Sequence, residues 1–145
     1  MRSSFHWRLI LVSWAATHAE PVAGERGVVL VVEDDRKLAR IVVRMLERAG
    51  YRCVTGASAD QALRAVDEHH PDAIVLDVMI PGPTGIEVCR HLRADGWVGG
   101  VIMISARSSP ADRATATAAG ADAFLGKPFP LAQLVSTVDN VVRPH

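Results

Sequence analysis

Short apolar runs alternate along this chain with longer stretches in which apolar residues recur every three or four positions. Val28 to Val32 is an unbroken apolar run. Ile74 to Leu76, inside Asp72 to Leu76, and Val101 to Ile104 are two more. Runs of this length, rich in β-branched residues and bounded by turn residues, predict strands buried on both faces. Tyr51 to Thr55 and Ala123 to Leu125 read as two further short strands.

The intervening stretches predict helices. Leu38, Ile41, Val42, Met45, Leu46 and Ala49 share one helical face, and Gly50 ends that helix. Ser58 with Gln61 predicts a capping box ahead of Ala62, Leu63 and Val66. His69-His70-Pro71 closes that helix, because the residue before a proline leaves the helical region. Thr84 is placed to cap a third helix through Ile86, Val88, Cys89 and Leu92, ended by Asp95-Gly96. Ser109-Pro110 opens a fourth, rich in Ala and Thr with a thin apolar stripe, and Gly120 ends it. So little apolar surface predicts a marginal, mobile helix. Leu131, Leu134, Val135, Val138 and Val142 mark the last helix. Strict strand–helix alternation predicts an α/β domain with a parallel sheet and helices on both faces.

Composition adds little that conflicts. The 145 residues are 49% hydrophobic and 22% charged, ample for one core, and the formal net charge is zero. No bulk pull toward nucleic acid or an anionic membrane follows. Cys53 and Cys89 lack metal-ligand spacing and sit in apolar patterns, so both read as buried free thiols in a reducing compartment. Residues 1–27 read as an extension. Met1 to Ala19 has the outline of a short secretory signal, too short to span a membrane, but a non-native extension fits better. Glu20 to Gly27 is a linker, residues 28–142 the domain, and residues 143–145 a tail.

The chemistry lies just past the strands. Glu33, Asp34 and Asp35 follow the first, Asp77 ends the third, Ser105 the fourth, and Lys127 follows the fifth. In a parallel sheet these positions converge on one edge. Clustered carboxylates repel, and a hard divalent cation relieves that. Mg²⁺ there leaves room for a phosphoryl oxygen. Asp77 can then attack phosphorus to form an acyl phosphate, with Lys127 and the Ser105 hydroxyl meeting the equatorial oxygens.

At this point the chain resembles the receiver domain of two-component response regulators, from Val28 to about Val142. The motifs are Val31-Val32-Glu33-Asp34-Asp35, Leu76-Asp77-Val78-Met79-Ile80-Pro81-Gly82, Ile104-Ser105-Ala106-Arg107, Gly120-Ala121-Asp122-Ala123-Phe124 and Lys127-Pro128-Phe129. The resemblance implies a flavodoxin-like doubly wound fold with strand order 2-1-3-4-5 and a cis Lys127-Pro128 bond. It makes Asp77 the phosphoacceptor and Asp34 a direct Mg²⁺ ligand. Glu33 would reach the metal through water, and Met79 would ligate it by its backbone carbonyl. Ser105 and Lys127 would sense the phosphoryl group, and Phe124 would be the switch aromatic. It further implies a cytoplasmic signalling switch, not an enzyme, phosphorylated by a histidine kinase or histidine phosphotransfer protein. A downstream protein would bind the face of the fourth helix, fifth strand and fifth helix, without direct DNA or membrane contact. Met79 and Arg107 are similar to the subfamily with winged-helix output domains, yet no output domain is read here. That subfamily's dimer ion pairs are incomplete, with Arg113 present but Ala123 and Thr137 where Asp and Arg are usual. Two alternatives stay open. One is a non-phosphorylated pseudo-receiver that only binds protein. The other is a haloacid-dehalogenase-like phosphatase, against which Met79 stands where a second Asp is needed.

Overall fold

The computed structural model describes residues 24–142. The signal-like stretch and most of the extension, with the tail, lie outside them. Five strands alternate with five helices: β1 Val28–Val32, α1 Arg36–Arg48, β2 Arg52–Gly56, α2 Ala59–His69, β3 Ala73–Asp77, α3 Gly85–Ala94, β4 Gly100–Ser105, α4 Pro110–Ala119, β5 Ala123–Gly126 and α5 Leu131–Val141. All pairings are parallel, in the order β2-β1-β3-β4-β5.

Period-two alternation along the central strands builds two cores. Leu30, Val32, Ile74, Leu76, Val101 and Met103 face one side, under α2, α3 and α4. Val29, Val31, Val75, Ile102 and Ile104 face the other, against Val42 and Leu46 of α1 and Leu134 and Val138 of α5. This is why β1, β3 and β4 read as continuous apolar runs: neither face is wet.

Several boundaries differ from the sequence reading. β2 begins at Arg52, not Tyr51, because the Tyr51 N–H still bonds to the Leu46 carbonyl of α1, while Arg52 N–H bonds to Gly27. β3 begins at Ala73, since the Asp72 carboxylate accepts from Val28 N–H at 2.8 Å and so clips the strand start to β1. α5 ends at Val141, with Val142 beyond it. At α2, Ser58 Oγ accepts from Gln61 N–H as expected, but Gln61 Oε1 accepts from Ala57 N–H at 2.8 Å and not from Ser58. Complete capping boxes instead form at α3, from Thr84 and Glu87, and at α4, from Ser109 and Asp112. α4 is helical and doubly capped, yet it buries only Ala116 and Ala119.

One glycine sets the geometry beneath the site. A Cβ on Gly85 would lie 2.4 Å from the Asp77 carbonyl oxygen, so only glycine lets α3 start this close to the end of β3. Both thiols are free, and burial pushes Cys53 up to about 12 and Cys89 up as well.

Candidate functional site

The register places the chemistry. Val32 pairs with Leu76, Asp77 with Ile104 and Ser105 with Gly126, so Glu33, Asp77, Ser105 and Lys127 follow or end four adjacent strands at one edge. Asp77 is only 3% exposed. Its Oδ1 accepts from the Met79 N–H at 3.0 Å and its Oδ2 from Lys127 Nζ at 2.9 Å. Glu33 is equally enclosed. Its Oε2 accepts from Asp35 N–H at 3.2 Å, and its Oε1 from the same Lys127 ammonium at 2.5 Å. One lysine therefore bridges the acids of β1 and β3. Asp34 is exposed beside them, and Glu33, Asp34 and Asp77 each offer an oxygen within 4.8 Å of the others.

Burial is the main force on Glu33 and pushes its carboxyl up to about 7; the Asp77 carboxylate pushes the same way, and Lys127 opposes. Burial alone would lower Lys127. The hydrogen bonds to Glu33 and Asp77, with the charge of both acids, outweigh it and leave the ammonium raised. The pair thus keeps a firm cation against an acid that is reluctant to ionise. A hard cation would meet an all-oxygen set from Glu33, Asp34 and Asp77, the donor chemistry that suits Mg²⁺. A cation would also relieve the repulsion that Lys127 and the Asp35 and Met79 N–H groups now offset.

The other predicted residues fall into place unequally. Ser105, 1% exposed, accepts at Oγ from Arg107 N–H at 3.0 Å, which leaves its own O–H free to donate. The Lys127 N–H bonds to the Ser105 carbonyl at 2.8 Å, tying the ends of β4 and β5 together. The Lys127–Pro128 peptide is cis. Asp35 is not in the cluster: its carboxylate caps α1 by accepting from Lys37 and Leu38 N–H. Met79 has a 53% exposed side chain at the mouth, and a thioether there cannot relay protons. Phe124 is half-buried against the α2–α3–α4 core. Its ring carries the Arg113 guanidinium at 4.9 Å, and Arg113 also donates to the Ser108 and Phe124 carbonyls.

Sequence reasoning missed two arrangements. Arg113, which the resemblance makes one member of an incomplete intersubunit ion-pair set, lies over the Phe124 ring within the chain. Arg93 donates to the Trp97, Gly99 and Gly120 carbonyls and to Asp122, joining α3 to the α3–β4 loop and to the loop between α4 and β5. No spacing signal announces either, because both depend on carbonyls brought together by the fold.

Comparison with known proteins gives a consistent result. The family model of the response regulator receiver domain matches residues 29–139. The chain is 38% identical over 115 residues to response regulator MprA of Mycobacterium sp. (strain KMS), covering 79% of this chain and 50% of that protein. It is 40% identical over 110 residues to the DNA-binding response regulator MtrA of Mycobacterium tuberculosis, covering 76% and 48%. It thus spans about half the length of these curated relatives. Among solved structures, the Francisella response regulator 1452 receiver domain aligns at 30% identity with a TM-score of 0.76, covering 79% of this chain and 94% of that one. The BeF3-activated receiver domain of Klebsiella pneumoniae RstA aligns at 26% with the same TM-score, covering 81% and 99%. Fold, strand-end acids and matches agree: the chain belongs to the response regulator receiver domain family of two-component systems.

Proposed function

We propose that this domain is a phospho-accepting switch in which Asp77 receives a phosphoryl group from the phosphohistidine of a kinase or phosphotransfer protein. The observation that carries this is the Lys127 ammonium held between Asp77 and Glu33, with Asp34 beside them. An Asp77 carboxylate oxygen forms the new P–O bond as the donor's P–N bond breaks, and the departing imidazole takes a proton from solvent. Asp34, Asp77 and the Met79 backbone carbonyl would hold Mg²⁺ directly and Glu33 would hold it through water, and the ion would supply positive charge to the phosphoryl oxygens. Lys127 leaves Asp77 and pairs with a phosphoryl oxygen. The free O–H of Ser105 donates to another.

Ser105 drawn toward the phosphoryl group opens room for Phe124 to turn inward, away from Arg113. The face of α4, β5 and α5 then shifts between two populations, and a partner protein that prefers one of them is the output. The domain reads out to protein and not directly to DNA. A pseudo-receiver is disfavoured by the complete set Asp34, Asp77, Ser105 and Lys127, and a dehalogenase-type phosphatase by Met79.

Incubation with Mg²⁺ and acetyl phosphate tests the reading. Wild type gains one phosphoryl group by intact mass; excess EDTA abolishes the gain, and so does Asp77→Asn. An Asp77→Asn protein that labels like wild type refutes the assignment.

A further inference from the structure

A second feature lies outside the carboxylate cluster. Between α1, β2 and the start of α2 runs an open groove of about 460 Å³. Arg36, Arg40 and Arg44 line one wall, spaced four residues apart on one face of α1. Among the described residues none of the three takes part in an ion pair, and all are exposed. The opposite wall is Gly56, Ala57 and Gln61, at the N-terminal end of α2. There the Ala57 and Gln61 N–H groups are already bonded to Gln61 Oε1 and Ser58 Oγ, and Asp60 lies in the first turn, so the arginines supply the groove's positive charge. Glu47 sits at the far end. Glu33 closes the near end, with its oxygens already bonded to Lys127 and Asp35 N–H.

Three arginines four residues apart on one helix face, none in an ion pair among the described residues, repel one another modestly, and a bound anion would relieve that repulsion. Guanidinium pairs in a planar, bidentate way with phosphate as it does with carboxylate, and a polyphosphate brings several such oxygen pairs in a row to meet three arginines. The volume falls within the ordinary range for small-ligand sites. No aromatic ring lines the groove, so nothing there would grip a base. We propose that the α1–β2–α2 groove binds a small polyphosphate-bearing anion, recognised through its phosphates by Arg36, Arg40 and Arg44. The site does not depend on phosphoryl transfer to Asp77.

Calorimetric titration of the Asp77→Asn protein with tripolyphosphate, ATP and GTP, in excess EDTA and at fixed low salt, tests this. The variant removes the phosphoacceptor, and EDTA removes any metal bridge to the acids. All three ligands are expected to bind with one-to-one stoichiometry and similar affinity. Arg40→Ala with Arg44→Ala should weaken each by about tenfold or more, while Lys37→Ala, on another face of α1, should change it less than about twofold. Equal losses in both variants mean diffuse counterion attraction and overturn the proposal. So does the absence of saturable binding, or binding of a polyglutamate peptide in preference to tripolyphosphate. Failure here leaves acetyl phosphate labelling of wild type unaffected, so the two readings stand or fall separately.

Discussion

Lys127 holds two buried acids, and the ionisation of one of them, Glu33, has a measurable consequence of definite sign. The Glu33 carboxyl, pushed up to about 7 by burial against an ordinary value of 4.5, keeps a proton that the unfolded chain has already released. A raised carboxyl stabilises the metal-free fold below about pH 4.5, and that contribution is lost as pH rises through 7. The window is worth on the order of 3 kcal/mol at roughly 1.4 kcal/mol per unit. Urea unfolding in EDTA at pH 5 and pH 7.5 checks it: wild type loses stability between them, and Glu33→Gln flattens the difference. Identical slopes would show that Glu33 is ionised throughout. Mg²⁺ competes with that proton, so its stabilising effect should be larger at pH 7.5. The identities of Glu33, Asp34, Asp77, Ser105 and Lys127 could be read from the sequence because each sits at a strand end. Their partnership through a single ammonium could not, because Lys127 lies 94 residues from Glu33 and its rotamer is a product of the assembled edge. Asp35 shows the reverse: chemically equivalent to Asp34 on paper, it is consumed by capping α1.

At the scale of elements, α3 and α4 carry opposite constraints. α3 is pressed against the site, and Gly85→Ala places a methyl carbon 2.4 Å from the Asp77 carbonyl. The backbone must move, so this substitution should cost about 1–3 kcal/mol in urea unfolding and slow phosphorylation of Asp77. A neutral result would mean that α3 is loosely placed. α4 depends on its ends more than on its thin apolar contact. Ser109→Ala removes the acceptor for Asp112 N–H and the Oγ partner of the Asp112 carboxylate. About 1 kcal/mol of local stability should go, seen as faster amide exchange over Arg113 to Ala119 with the central strands unchanged. The thin stripe of α4 was visible in its Ala/Thr composition. The reason for Gly85 was not: a glycine after a threonine cap looks like turn chemistry until the neighbouring strand end is in place.

Across the whole molecule, the sheet order brings residues from four strand ends within reach of one another while leaving α4, β5 and α5 as a contiguous face. Parallel alternation of apolar runs and amphipathic stretches made that architecture legible, because each central strand is dry on both sides. What the pattern could not disclose is how the face is held: Arg113 stacks on Phe124, and Arg93 ties α3 to Gly120 and Asp122. Among the described residues no helix is long and apolar enough to cross a membrane. Phosphorylation should therefore register as altered amide exchange from Ser105 to Gly126, with β1 and β3 little changed; a uniform response would argue against a local switch. The most direct test of the central claim is to phosphorylate wild type with Mg²⁺ and acetyl phosphate, reduce the acyl phosphate with borohydride and locate the resulting homoserine by peptide mass spectrometry. Homoserine at position 77 alone is the predicted result. Homoserine at position 34 or 35, hydroxynorvaline at position 33, or no reduced residue anywhere would contradict it.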